Sequence, residues 1–461
     1  MKEKLTRISD FIWELPRSYK RDMKVSVRII ALEKLVEKME EVVLQQAANV
    51  ASLPGLVGDV IVLPDAHSGY GAPIGCVFAT DPENGGVISP GAVGYDINCG
   101  MRLITTSLTV NEVRPKLLQL VNLLFDYVPP GVGREGFLRL TYNELDQILE
   151  DGASWMVNKG FGSREDLDHV EEGGRIDGAD PEKVSQKAKE RGKLQLATLG
   201  SGNHYLEIQQ VEKIFDSQKA AEWGINDTSQ VVVMLHCGSR GLGHQVATDY
   251  LRSFEKKLDK YNINISDLQL ACAPFTSVDG QNYFEAMNSA SNFAFANRQA
   301  ITYQIREVFE RVFGRSTENL DMKLVYDVAH NIAKTEKELL VHRKGATRSF
   351  PNQPVIIGGS METGSYLLLG TEKAQELTFG STAHGSGRTM SRHQAKRTIR
   401  SEELSRQLKN EGIVVKGASW GGLAEEAGFA YKNIADVVES VEKAGISTPI
   451  AAFRPIGNIK G

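Results

Sequence analysis

Short β-branched runs alternate with charged segments of helical period along this chain. Val57-Gly58-Asp59-Val60-Ile61-Val62-Leu63-Pro64, Val231-Val232-Val233-Met234-Leu235, Leu324-Val325-Tyr326-Asp327-Val328 and Pro354-Val355-Ile356-Ile357 each predict a short buried strand. The first leads into a Gly-rich loop, and the other three lead to His236, His330 and Gly358. Residues 111–127, 181–194, 243–262, 281–312 and 434–444 predict helices, with Phe284, Met287, Phe295 and Ile305 as the core stripe of 281–312. Residues 24–50 predict one amphipathic helix on Ile29, Leu32, Leu35, Val36, Met39, Val42 and Val43. Strands interleaved with helices predict an α/β (α+β) fold with mixed sheets and surrounding helices. No long linker, low-complexity tract or repeat interrupts residues 1–461, which predicts a single large compact domain.

Composition narrows the function. The 461 residues are 41% apolar, enough for a large core. A net charge of -5 excludes a uniformly basic surface, so any nucleic-acid contact requires a local patch. Met1 to Pro16 carries no secretory or transit pattern, and no apolar run is long enough to span a bilayer. A cytoplasmic protein without membrane contact is expected. Cys76, Cys99, Cys237 and Cys272 are widely spaced, which argues against a disulfide framework.

Candidate chemistry gathers at glycine-flanked histidines. His204 lies in Gly200-Ser201-Gly202-Asn203-His204, His236 in His236-Cys237-Gly238-Ser239-Arg240-Gly241, and His330 in Ala329-His330-Asn331. His384 lies in Ser381-Thr382-Ala383-His384-Gly385-Ser386-Gly387-Arg388. Glycine is kept where a backbone must turn sharply or approach a ligand. Gly94-Tyr95-Asp96-Ile97-Asn98-Cys99-Gly100 adds a carboxylate and a thiol. By itself that pair reads equally well as a turn Asp and a buried Cys. Beside three strand-end histidines it makes a binuclear metal site plausible. Mixed S, N and O donors exclude a pure Mg²⁺ or Ca²⁺ cage and admit Mn²⁺, Zn²⁺, Co²⁺ or Fe²⁺. Arg388, Arg392, Lys396, Arg397 and Arg400 form one basic run, and His342-Arg343-Lys344-Gly345-Ala346-Thr347-Arg348 forms another. Both are expected to track phosphates.

In chain order, Leu63-Pro64-Asp65-Ala66-His67-Ser68-Gly69-Tyr70-Gly71, the Gly94–Gly100 block, Gly200-Ser201-Gly202-Asn203-His204-Tyr205-Leu206-Glu207, His236-Cys237-Gly238-Ser239-Arg240-Gly241-Leu242-Gly243-His244, Ala329-His330-Asn331, the 342–348 block, Gly359-Ser360-Met361, His384-Gly385-Ser386-Gly387-Arg388 and Pro455-Ile456-Gly457-Asn458-Ile459-Lys460-Gly461 resemble the RtcB family of RNA ligases from end to end. The resemblance implies an RtcB-like catalytic domain over 1–461. The activity it implies is GTP-dependent joining of a 2′,3′-cyclic phosphate or 3′-phosphate RNA end to a 5′-hydroxyl end. It implies one Mn²⁺ on Asp96, Cys99 and His204, and a second on Cys99, His236 and His330, with Zn²⁺ or Co²⁺ as substitutes. His384 would attack the GTP α-phosphate and carry GMP. Asn203, Asn331 and Gly358, Gly359, Ser360 and Met361 would contact phosphates. Glu207, Ser365 and Lys460 would read guanine beside Tyr431, and Tyr205, Leu206, Gly385, Ser386 and Gly387 would complete the GTP site. Asp65, Arg240, Lys344 and Arg388 would contact RNA. The implied substrates are tRNA halves or broken RNA ends, in tRNA splicing or RNA repair. Archease is an accessory partner of many members, and a monomer is expected. The chain departs from familiar members at Ala66-His67-Ser68 and Ala383, and in a shortened segment between Phe350 and Gln353. A binuclear metal phosphodiesterase or phosphatase acting on RNA ends is the competing reading, and an idle nucleotide-binding protein is a third.

Overall fold

Four neighbouring antiparallel strands set where the chain presents its chemistry. In the computed structural model, which describes residues 2–461, Leu324–Ala329, Gly100–Thr109, Gln230–Cys237 and Tyr205–Ile214 lie side by side in that order. Ser447–Lys460, Ser365–Gly370 and Pro354–Gly358 extend the sheet, and Val414–Gly417 joins Ser447–Lys460 in parallel. Ala329 pairs with Gly100, Gly100 with Cys237, and Tyr205 with His236. Cys99, His204, His236 and His330 therefore emerge at one end of adjacent strands. Both faces of this sheet are covered, which is why its strands read as near-continuous apolar runs. Leu206, Val233 and Leu235 pack with Phe295 and Ile305 in one core cluster, and Met101, Val232, Met234, Ile356 and Phe453 in another.

A seven-stranded sheet holds Thr6–Arg7, Ile12–Leu15, Val27–Ile30, Leu56–His67, Ile74–Thr80, Leu339–Lys344 and Asn331–Glu336. It carries Asp65 near the end of Leu56–His67. A ribbon of Ala346–Arg348 and Ser381–Ala383 pairs Ala346 with Ala383 and delivers His384 immediately afterwards. Gly358 N donates to His384 O at 3.2 Å and Ser386 N to Gly358 O at 2.9 Å, tying the His384 loop to the other sheet.

Helix Val278–Phe313 is 36 residues long and largely buried. Ser277 caps its start by accepting from Gly280 N, and Gly314, at φ 66°, ends it in the left-handed region. From it, fully buried Arg298 shares Asp327 with Arg102, at 2.8 and 2.7 Å.

The predicted strands and the helices at 281–312 and 434–444 are present, the last as Ile434–Ala444. The 243–262 helix runs Arg240–Glu255, 111–127 divides at a 3-10 turn Arg114–Lys116, and 181–194 divides into a 3-10 turn and Gln186–Lys193. The single helix expected over 24–50 is corrected. Val27–Ile30 is a strand parallel to Leu56–His67, followed by helices Glu33–Glu37 and Glu41–Val50. Alternating Val27 and Ile29 satisfy a strand period as well as a helical one, and pairing with Val60 and Val62 decides the matter. No helix among the described residues is long and apolar enough to cross a membrane.

Candidate functional site

Cys99 is the shared corner of two donor triangles, one with Asp96 and His204 and one with His236 and His330, whose donor atoms lie within 4.8 Å of one another. Cys99 Sγ lies 3.4 Å from His204 Nε2 and 3.1 Å from His236 Nε2. Asp96 Oδ2 is 2.7 Å from His204 Nε2, and His330 Nε2 is 3.2 Å from His236 Nε2. Gly238 lets Asp96 in, since a Cβ there would meet its Oδ1 at 2.3 Å.

Backbone carbonyls choose which imidazole nitrogens face inward. His204 Nδ1 is 2.9 Å from Leu199 O, and His236 Nδ1 is 3.0 Å from Asn203 O. Each Nδ1–H donates to its carbonyl, which turns the Nε2 atoms toward the thiol. Burial drives His236 and His330 well below the ordinary imidazole value and keeps them in the neutral, ligating form. Burial, with Asp96 adding to it, pushes the Cys99 thiol up to about 12. Converging imidazole nitrogens and a buried thiol gain most from cations between them. One carboxylate oxygen, one sulfur and three imidazole nitrogens fit two divalent transition ions sharing the sulfur.

His384 stands beside this cluster, its ring centroid 4.8 Å from that of His330. Its Nδ1 is 2.6 Å from Asp65 Oδ2, which also accepts from His384 backbone N at 3.0 Å. Burial opposes ionisation of Asp65, but His384 and Lys432 beside it hold the carboxyl below its usual range. Nδ1–H therefore donates to Asp65, and Nε2 is the nitrogen available to the cavity that His384 lines. That cavity, about 480 Å³, is also walled by His236, His330, Asn203, Asn331, Gly358, Gly359, Ser360, Gly385, Ser386, Gly387, Arg388, Tyr205, Tyr431 and Lys460. A second cavity, about 840 Å³, opens on Asp96 and His204 and carries Arg134, Arg191, Arg240 and Lys396.

Several expected site residues sit differently. Glu207 and Ser365 are 1% exposed, and Glu207 is bonded to Gln209 at 2.6 Å and to Asn458. Burial pushes the Glu207 carboxyl up to about 8, although Lys460, Gln209 and Asn458 pull it down. Leu206 and Met361 turn their side chains into apolar clusters, so only their backbone is open to a ligand. Asp65, expected at RNA ends, is fully buried behind His384. Lys344, expected to contact RNA, also sits differently. It is 3% exposed, and its ammonium donates to Tyr70 O and Gly91 O, binding two loops together under the site. Burial pushes that ammonium down to about 7. The other charged or imidazole side chains of the 342–348 run are also engaged, His342 and Arg343 in the interior and Arg348 nearer the surface. His342 stacks on Phe78, Arg343 pairs with Glu336 at 2.6 Å, and Arg348 pairs with Glu172. Arg388 does line the cavity but is paired with Glu426 at 3.3 Å. Sequence reasoning missed Glu426, whose partners converge only in the folded chain.

A largely buried Asp/Cys/His cluster able to hold metal ions, beside a histidine on an adjoining cavity, is the arrangement of an enzyme site. The family model for the tRNA-splicing ligase RtcB matches residues 46–461. The tRNA-splicing ligase RtcB of Thermococcus kodakarensis is 52% identical, with 99% of each chain covered. Those of Archaeoglobus fulgidus and Pyrobaculum aerophilum are 50% and 48% identical, again over 99% of each chain. The chain belongs to the RtcB family of RNA ligases.

Proposed function

We propose that this enzyme joins a 3′-phosphate RNA end to a 5′-hydroxyl end through a His384–GMP intermediate, using GTP and two Mn²⁺ ions. The carrying observation is the Asp65–His384 pair at 2.6 Å beside the cluster that shares Cys99. With Nδ1–H held by Asp65, the Nε2 lone pair attacks the α-phosphorus of GTP. A P–N bond forms, the P–O bond to pyrophosphate breaks, and Asp65 stabilises the cationic ring. The RNA 3′-phosphate then takes GMP from His384, giving an anhydride. The 5′-hydroxyl attacks the 3′-phosphorus and GMP leaves. A cyclic-phosphate end is first opened by water. Asp96, Cys99, His204, His236 and His330 would hold two divalent ions, which would supply positive charge against phosphate oxygens.

Gly358 to Ser360, Asn203 and Asn331 would line the phosphates, with Tyr431 and Lys460 toward the base. Glu207 can accept from the N1–H and N2–H₂ edge of guanine, which adenine lacks. Arg240 and Arg388 would meet the RNA, either tRNA halves or broken ends, and residues 1–461 would act as one cytoplasmic catalytic unit, monomeric and assisted by archease.

The test is incubation with α-labelled GTP and Mn²⁺ without RNA, followed by denaturing electrophoresis. An alkali-stable, acid-labile label, absent from His384→Ala, is expected. Absence of label together with hydrolysis of cyclic-phosphate ends would favour a phosphodiesterase.

A further inference from the structure

The carboxylate of Glu426 is 1% exposed on the wall of the His384 cavity, and the reaction above gives it no part. Its Oε1 lies 3.3 Å from Arg388 Nη1 and 3.1 Å from Arg392 Nε. Its Oε2 lies 3.7 Å from Lys460 Nζ and accepts from Tyr431 OH. Arg388 also covers the Tyr431 ring, 5.0 Å from its centroid. One anion is thus shared by three cations, Arg388 and Arg392 from one segment and Lys460 from another. Without it, like charges would be held together in a partly desolvated wall, where repulsion is poorly screened.

The partners face different spaces. Tyr431 and Lys460 line the nucleotide cavity, whereas Arg392, with 48% of its side chain exposed, lines that cavity and the neighbouring basic cleft. Glu425, the preceding residue, lines the cleft and pairs with Lys396 at 3.3 Å.

We propose that Glu426 is the positioning residue that couples the nucleotide cavity to the basic cleft, holding Lys460 and Tyr431 on one side and Arg392 on the other as one electrostatic unit. The inference rests on the guanylylation reading above. A base that draws the Lys460 ammonium away leaves Glu426 to the two arginines and fixes Arg392 at the boundary. An RNA phosphate that draws Arg392 away tightens the hold on Lys460. Coupling of this kind is reciprocal.

Glu426→Gln preserves size and removes the charge. In the Mn²⁺-loaded full chain, two constants are measured. One is the KM for GTP in guanylylation without RNA. The other is the KM for a 3′-phosphate, 5′-hydroxyl RNA joined by protein guanylylated beforehand. Both KM values are expected to rise by about fivefold or more, with kcat changed far less. A rise in only one overturns the coupling, and a rise in neither overturns the positioning role. Melting and metal content confirm that the variant is folded. Should it not fold, Arg392→Gln at its half-exposed position decides instead. It is expected to raise the RNA KM and also the GTP KM, and an unchanged GTP KM overturns the inference. Absence of label from the wild-type protein is a separate outcome, and it overturns the guanylylation reading along with this inference.

Discussion

The imidazole of His384 and the carboxylate of Asp65 meet at 2.6 Å although 319 residues separate them in the chain. Asp65 has no solvent exposure, and its Oδ2 also receives the His384 backbone N–H. The pair fixes ring orientation and tautomer together. Asp65→Asn presents an amide that can donate to Nδ1, which shifts the proton to Nε2 and blocks the attacking lone pair. Guanylylation is expected to fall roughly 10–100-fold, the scale on which such orienting partners act. Metal content, measured by elemental analysis, should be unchanged. A variant labelled at the wild-type rate would show that the tautomer is set elsewhere.

Because Cys99 belongs to both donor triangles, its loss and the loss of its neighbours should differ in number. Cys99→Ala is expected to lose both ions. Asp96→Ala should lose the ion shared with His204, and His330→Ala the ion shared with His236. Equilibrium dialysis against Mn²⁺ reads the stoichiometry directly. One ion retained by Cys99→Ala would refute a bridging thiolate.

These relationships were unequally legible beforehand. His236 and His330 end short β-branched runs, a local pattern that survives folding unchanged, so their convergence could be anticipated. The Asp65–His384 contact and the four-partner carboxylate of Glu426 could not, since each exists only through long-range pairing. Nothing in Leu423-Ala424-Glu425-Glu426-Ala427 separates the buried acid from its exposed-looking neighbour. The 342–348 run misled for a related reason. Alternation in Leu339–Lys344 sends successive charges to opposite faces, and the charge of Arg343 is balanced by Glu336 across the hairpin, so a linear count overstated its free charge. Long strands such as Gly100–Thr109 and Ser447–Lys460 were not anticipated. Arg102 in the first, and Pro449, Pro455 and Gly457 in the second, interrupt the apolar pattern.

Under the proposed guanine-reading role of Glu207, nucleotide affinity is expected to depend on pH. Its carboxyl is pushed up to about 8 by burial, so it is largely protonated at neutrality. The guanine edge offers donors and needs the ionised form. GTP binding therefore expels a proton below about pH 8. Affinity rises by up to about tenfold per pH unit as pH approaches that value, then levels off. Calorimetry on the His384→Ala protein at pH 6.5, in two buffers of different ionisation enthalpy, should show release of close to one proton per GTP. Glu207→Gln should abolish that release. Gln209, Asn458, Lys460 and Tyr205 face Glu207, and burial and Glu207 itself hold the Tyr205 hydroxyl protonated, which leaves Lys460 as the other group that can exchange a proton. Proton uptake instead of release would assign the linkage to Lys460.

Two buried arginines share Asp327 beneath the metal loop, and the consequences of cutting each link differ. Arg298 donates to Asn98 O at 2.7 Å and to Cys237 O at 3.0 Å, gripping the backbone just before Cys99 and that of the neighbouring strand. Asn98 sits at φ 51°, a strained left-handed conformation that this grip sustains. Asp327→Asn leaves two buried guanidiniums with no anion between them, and breaking a buried pair in this way costs about 3–5 kcal/mol. Arg298→Met instead leaves the Arg102–Asp327 pair, at 2.7 Å, balanced one to one. Its stability cost should be smaller, confined to the orphaned carbonyls and about 1–3 kcal/mol. Its effect on the metal centre should be the larger of the two, because Asn98 is released and Cys99 with it. Denaturant midpoints give the first comparison and Mn²⁺ titrations the second. If Arg298→Met unfolds the protein more than Asp327→Asn does, the charge balance assigned to the triad is wrong. If it leaves Mn²⁺ affinity intact, the grip on the Cys99 loop is not what holds the thiolate in place.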